Sequence, residues 1–270
     1  MKSILKKCSL LSLLAAAACA LLLVGCAGGS GNQGETEYAD DAFIASLTKG
    51  YEARDTLVEQ SAKEKGSVEY YEKLVDAELS QVEQYQAAQF QDSKLQEAAI
   101  AYINALKDQR AAAGLYSTDN DQYKKDWQKA YDKRTELLCV FVEDYGLTVS
   151  GSHQDSLNSL VSHGKKVTRD NSEKAAIESL AASIVPEFTQ EYSSYTGKAT
   201  VTNNTGFDFD SISFEVELFD ASNVKIETAY MSASHWLDGE TVVLECYAST
   251  QDAPATVKVV PSYYQIAEND

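Results

Sequence analysis

Three charged side chains stand where apolar ones are expected. Between residues 43 and 58, Phe43, Leu47, Tyr51 and Val58 recur at helical spacing, and Arg54 falls in the same column. Between residues 123 and 145, Tyr123, Trp127, Tyr131, Leu138, Phe141 and Tyr145 form a second column, and Arg134 interrupts it. Glu78 interrupts a third, between Val75 and Val82. The arginines have matching surroundings, Lys49-Gly50-Tyr51-Glu52-Ala53-Arg54 and Lys129-Ala130-Tyr131-Asp132-Lys133-Arg134, each with a leucine three residues on. A guanidinium taken out of water needs an anionic partner, because leaving it unpaired costs several kcal/mol. Two chemistries fit. The simpler is an internal Arg–Glu–Arg network that fixes helix register. The alternative is a receptor in which Arg54 and Arg134 clamp a small anionic ligand by two-point contacts, Glu78 leaving one positive charge to spare.

Other reactive residue types do not assemble into a catalytic pattern. Ser46-Leu47-Thr48-Lys49 has the Ser-x-x-Lys spacing of an acyl-transfer nucleophile, but its partner motifs are absent and Leu47 belongs to an apolar stripe. Ser152, His153 and Asp155 stand too close in sequence for a triad. His153, His163 and His235 have no metal-ligand spacing. Asp119-Asn120-Asp121 and Asp208/Asp210 lack the length of a calcium loop and read as helix caps or turns. With 41 acids in the chain, paired carboxylates arise by chance. The chain reads as non-catalytic, with no cofactor and no metal site.

The cysteines bear on location. Lys2, Lys6 and Lys7 precede an uncharged apolar run, Leu10 to Val24, broken only by Ser12. That is the layout of a secretory signal peptide, and the run is short for a spanning helix. It ends in Leu23-Val24-Gly25-Cys26, which resembles the bacterial lipobox. The resemblance implies cleavage of residues 1–25 and diacylglycerol on the Cys26 sulfur, anchoring the chain to the membrane outside the cytoplasm. Residues 26–38 follow as a glycine-rich flexible tether. Removing residues 1–25 takes away three lysines and no acid, which moves the net charge from −18 to −21. So acidic a chain is a poor partner for nucleic acid or for anionic lipid and wall polymer through bulk charge; the membrane contact is the lipid, and the further partner a protein or a cell-wall component. Cys139 and Cys246 remain, as buried free thiols or as a bridge.

The elements that must position these residues change period midway. Residues 39–190 are helical. A first helix starts at Asp40 or Asp41 and breaks at Gly66-Ser67. A second carries Val68 to Tyr85. Ser93 with Gln96 opens a third in a capping-box pattern, and a fourth ends at Gly146. A looser stretch, His153 to Lys166, then leads to a shorter helix with Ile177, Leu180 and Ile184, ending near Pro186. Short connections imply antiparallel neighbours. The tyrosines on these stripes read as core, with sugar stacking as the alternative.

Residues 196–267 switch to period two. Ile212, Phe214, Val216 and Leu218 alternate with Ser211, Ser213, Glu215 and Glu217, and similar runs at 198–203, 224–230, 241–247 and 256–263 are separated by turn residues. Val201, Asn203, the segment Phe214-Glu215-Val216-Glu217-Leu218-Phe219-Asp220 and the segment Leu237-Asp238-Gly239-Glu240 make this part resemble the FxLYD domain, an immunoglobulin-like module of bacterial envelope proteins. Phe219 stands where the family has tyrosine, and Asn223 where a turn glycine is often expected. The resemblance implies a fold and no activity. The expected fold class is α+β in two domains, an N-terminal antiparallel helical bundle followed by a small antiparallel immunoglobulin-like β-sandwich. The expected function is a lipid-anchored binding or scaffolding protein.

Overall fold

A computed structural model describes residues 38–60, 66–250 and 252–267. The expected signal peptide, Cys26 and the expected tether up to residue 37 lie outside the described residues. Within them the chain is mixed helix and sheet. Helices α1 (Asp40–Gln60), α2 (Val68–Val82), α3 (Ser93–Ala113), α4 (Asn120–Glu143) and α5 (Gln154–Ser183) are followed by strands β1 (Glu187–Glu191), β2 (Ser194–Thr202), β3 (Phe209–Phe219), β4 (Lys225–Trp236), β5 (Thr241–Ala248) and β6 (Thr256–Ile266).

Short polar side chains start the helices. Ser67 accepts from the Tyr70 N–H at the head of α2. At α3 the cap is Asp92, which takes the Lys94 and Leu95 N–H groups, and not the expected Ser93. Asp119 accepts from Gln122 and starts α4, one of the aspartates read as a cap. Asp40 begins α1, and its carboxylate reaches across to the Gln91 and Asp92 N–H groups, tying α1 to the head of α3. Gly146, at φ +67°, ends the α4 segment in the left-handed region that glycine enters without strain.

The helices pack in chain order, each against the next. Arg110, near the end of α3, pairs with Glu72, near the start of α2, as antiparallel neighbours do. Phe43, Leu47 and Tyr51 of α1, Val75 and Val82 of α2, Tyr102 and Leu106 of α3, Leu138 and Phe141 of α4 and Leu157 of α5 share one buried cluster.

The strands form two antiparallel three-stranded sheets, ordered β1-β2-β5 and β4-β3-β6. The expected alternation holds: Ile212, Phe214, Val216 and Leu218 are fully buried and pack with Leu244, Cys246 and Trp236. Two of the stretches that suggested a module, Asn203 and the turn at residues 237–240, meet at one corner. The buried Asn203 amide donates to the Phe207 and Trp236 carbonyls and accepts from Thr205, while its backbone bonds Glu240 and Gly239. Asn223 sits at φ +61°, a conformation asparagine tolerates where glycine is often found.

The structure corrects the reading in two places. The stretch from His153 to Lys166 is not loose: past a single 3-10 turn, α5 is one continuous helix of 30 residues, about 45 Å long. Leu157 belongs to the helical cluster, and Ile177, Leu180, Ala181 and Ile184, from its last turns onward, belong to the cluster formed by the sheets. The sheet also begins earlier than residue 196, with β1 at Glu187.

Gly164 shows why α5 fits against α4. A Cβ there would lie 2.2 Å from the Thr135 carbonyl oxygen and 2.7 Å from Cys139 Sγ, so a side chain would force the helices apart. Gly164→Ala should cost about 1–3 kcal/mol in denaturant unfolding, although alanine is the better helix former. Gly151→Ala, whose Cβ would meet nothing within 4 Å, should leave stability nearly unchanged.

Candidate functional site

The three charges singled out from sequence come together in the centre of the helices. Arg134 Nε donates to Glu78 Oε2 at 2.8 Å and Arg134 Nη2 to Glu78 Oε1 at 2.9 Å, a two-point pairing. Arg54 Nη1 donates to Glu78 Oε2 at 3.0 Å and to Gln109 Oε1 at 3.1 Å. The Tyr102 hydroxyl donates to Glu78 Oε1. Arg134 also lies over the rings of Tyr51 and Tyr102, with its guanidinium carbon 5.8 and 6.0 Å from their centroids. Glu78, Gln109 and Tyr102 are wholly inaccessible to solvent, Arg134 is 2% exposed and Arg54 7%.

Four helices supply these groups. Gly50 lets α1 lie close on α2, since a Cβ there would be 3.0 Å from the Glu78 carbonyl oxygen. That approach brings Arg54 within reach of Glu78. Sequence reasoning missed Gln109, and it placed Tyr51 and Tyr102 only in the core. Gln109 continues the Tyr102, Leu106 column of α3, so it carried the signal that exposed the other three: a polar residue on an apolar stripe.

The electrostatics divide the two arginines. Burial pushes the Glu78 carboxyl up, but Arg134 and Arg54 together outweigh it and hold the carboxyl below the usual range. Burial likewise disfavours the Arg134 cation, yet its two-point contact with Glu78, helped by Tyr102, raises it overall. Arg54 goes the other way. Burial and then Arg134 lower it, and one shared contact with Glu78 does not make up the difference. Burial also drives the Tyr102 hydroxyl well above its ordinary value, so it stays protonated and donates to Glu78.

Beside the cluster lies a cavity of about 220 Å³, lined by Tyr51, Arg54, Asp55, Tyr131, Arg134 and Ser156 together with Val58, Leu74 and Leu160. It opens among α1, α2, α4 and α5. Asp55 accepts from Ser156 Oγ at 2.6 Å and pairs with His153 Nδ1 at 2.7 Å. Ser156 in turn accepts from Tyr51 at 3.1 Å. His153 thus meets Asp55, from the first helix, and not Asp155. The serine faces a carboxylate, not an imidazole, which ties α5 to α1 and offers no relay for a serine proton. A larger concavity of about 760 Å³ lies elsewhere, along α3, α4 and α5, under exposed charges of both signs such as Asp108, Asp126, Lys129 and Lys133. It holds none of the buried charges, so the smaller cavity is the candidate site.

Ser46 Oγ lies 2.9 Å from the Tyr85 hydroxyl and Leu47 is buried, so the Ser-x-x-Lys spacing belongs to helix packing. Cys139 and Cys246 are both free and buried, and Cys139 Sγ contacts the Val161 carbonyl at 3.0 Å. Among the described residues no group of three or more metal-ligating side chains is gathered, and no helix is long and apolar enough to cross a membrane. No family model matches the chain, and neither does any curated protein or solved structure.

Removing Glu78 strands two buried cations. Glu78→Ala should destabilise the protein by about 3–5 kcal/mol, measured by denaturant unfolding. The Glu78 carboxyl is lower in the folded chain than in the unfolded one. Its contribution is therefore complete above the ordinary carboxylate range near ~4.3 and is lost as pH falls through the depressed folded-state value. In acid melting curves, Glu78→Gln should lose less stability than the native protein between neutral pH and the acid limit.

Proposed function

We propose that this chain is an exported, lipid-anchored envelope protein of non-catalytic binding or scaffolding type. Residues 1–25 are its signal peptide, Cys26 carries the lipid, residues 26–38 are the tether, and the partner is a protein or a cell-wall component. In this reading the helices, from Asp40 to Ser183, are a helical bundle domain and the strands, from Glu187 to Ile266, an immunoglobulin-like β-sandwich of the FxLYD kind. Two antiparallel sheets sharing one buried cluster support the sandwich, as does the corner that joins Asn203 to the Gly239-Glu240 turn.

The observation that carries the binding function is the outer face of the β4-β3-β6 sheet. One cross-strand row there is Ser232, Ser213 and Tyr263; the next is Tyr230, Glu215 and Val260; another is Ser234, Ser211 and Gln265. Tyr230 is 62% exposed and Tyr263 55%. Serines keep the centre of the face low and hydrogen-bonding, while the tyrosines stand at its flanks. Tyrosine offers a large amphipathic surface with only two rotatable side-chain angles, so ordering it on binding costs little entropy, and serine adapts its hydrogen bonds to the partner. On the opposite face Ile212, Phe214, Val216 and Leu218 of β3 and Ala229 and Met231 of β4 are buried and form the core, so the outward side chains are not needed for it.

Two experiments test the two halves of the proposal. Cys26→Ser should move the protein out of the membrane fraction, and mass spectrometry of the native protein should find a lipid-modified cysteine at the mature N-terminus. Retention of the serine variant on the membrane would overturn the anchor. The double variant Tyr230→Ala, Tyr263→Ala should keep its stability within about 0.5 kcal/mol, as exposed substitutions do, and lose the cross-links that the native chain forms in intact envelopes. Unchanged cross-links would remove the sheet face from the proposal.

A further inference from the structure

We infer that the cavity beside Arg54 and Arg134 is a binding site for a small monocarboxylate with a short apolar tail. The site is separate from the sheet face and does not depend on it. The buried cluster is rich in donors and short of acceptors. Glu78 is the one carboxylate inside it, and its two oxygens serve Arg134 twice, Arg54 once and Tyr102 once. Among the described residues, Arg54 Nε and Nη2 and Arg134 Nη1 make no hydrogen bond, and both residues line the cavity. Gln109, whose Oε1 accepts from Arg54, has its Nε2 buried without any acceptor, though it does not itself line the cavity. Native interiors seldom leave a buried donor unpaired, and among the described side chains Gln109 Nε2 is the one that is; the unbonded arginine donors belong to residues on the cavity wall. Burial and the neighbouring Arg134 both act against the Arg54 cation, so an added anion would relieve it most.

Charge and shape set the ligand class. Inside the buried cluster two guanidiniums face one carboxylate, Glu78, and Asp55 on the cavity wall brings the balance to two against two, so what a ligand carboxylate would meet is the unbonded guanidinium donors and not a surplus charge. Asp55 also lines the cavity, held by His153 and Ser156, and its charge works against a dianion such as sulfate or hydrogen phosphate. A guanidinium fork suits the two oxygens of a carboxylate. Tyr51, Tyr131 and Ser156 bring hydroxyls, while Val58, Leu74 and Leu160 form an apolar wall for a tail. The volume of about 220 Å³ is below the roughly 300–1,000 Å³ of sites for drug-sized ligands, so the ligand has few heavy atoms.

The test uses the full-length chain in detergent with sodium acetate, propionate and butyrate, against chloride, sulfate and phosphate at matched ionic strength. Isothermal titration and thermal melting are the readouts. Saturable binding of butyrate, weaker for acetate and absent for sulfate and phosphate, is the expected result. Arg54→Lys keeps the charge but loses the fork and should weaken butyrate about tenfold or more, the equivalent of one charged hydrogen bond. Val58→Trp fills the cavity from the partly exposed side of α1 without touching Glu78 and should abolish binding at an unchanged melting temperature; Leu160→Phe serves if that variant does not fold. No saturable binding of any carboxylate to the native chain would overturn the proposal. So would butyrate binding that survives in a folded cavity-filling variant, or sulfate and phosphate binding more tightly than butyrate.

Discussion

One carboxylate in the middle of four helices constrains everything around it. Glu78 accepts from Arg54, Arg134 and Tyr102, so α1, α3 and α4 must each arrive at the same point on α2. Apolar packing tolerates a helix sliding by part of a turn, because one leucine replaces another at modest cost. A buried ion pair does not, since a slip of one residue leaves a cation with no partner in a medium where that costs several kcal/mol. The cluster therefore contributes more to register than to net stability. The apolar cluster around it, from Phe43 to Phe141, supplies the driving force, and Glu78 decides which of several similar packings is occupied.

Helix α5 couples this arrangement to the sheets. Its N-terminal part is fixed to α1 by the Asp55 contacts with His153 and Ser156, and to α4 by the close approach at Gly164. Its last turns are fixed by Ile177, Leu180 and Ala181 in the sheet core. Between these anchors its side chains are mostly solvated, with ion pairs Lys166–Asp170, Arg169–Glu173 and Lys174–Glu178 along the surface. All three put the base N-terminal to the acid, the weaker order for a helical pair, and exposed pairs contribute little in any case. Asn171, in the middle of α5, also donates to Glu136 of α4 at 2.8 Å. A helix shared by two cores transmits displacement between them where a coil linker would absorb it.

Much of this was legible before any coordinates. The columns through Phe43, Val75 and Phe141 marked α1, α2 and α4, a capping-box pattern at Ser93 marked α3, and polar interruptions of the columns marked Arg54, Glu78 and Arg134. The alternation from Ser211 to Leu218 marked β3. What escaped did so for physical reasons. Gly164 reads as a breaker in sequence, yet it is the contact residue on which α4 rests, so the helix around it looked loose. Strand β1 shows no alternation because it is an edge strand with one half-buried side chain, Phe188, whose ring lies over Gly197. Gln109 was hidden by being uncharged. Asp55 was hidden by distance, its partners lying 98 and 101 residues away.

A network built only to fix register would need one arginine for one glutamate. Arg134 already satisfies Glu78 through two parallel bonds, and Tyr102 adds a neutral donor. Arg54 then brings a second cation to an acceptor that is nearly saturated, with its outer donors unbonded and Gln109 taking one contact. An apolar residue at position 54 would continue the Leu47, Tyr51, Val58 column without any desolvation cost. What distinguishes the position is the cavity, which is bordered by both arginines and by three apolar side chains at once. A surplus cation in a dry core is a defect, whereas the same cation at the wall of a small half-apolar chamber is a means of selecting what enters. The free donors on its wall and the half-apolar lining favour the second description.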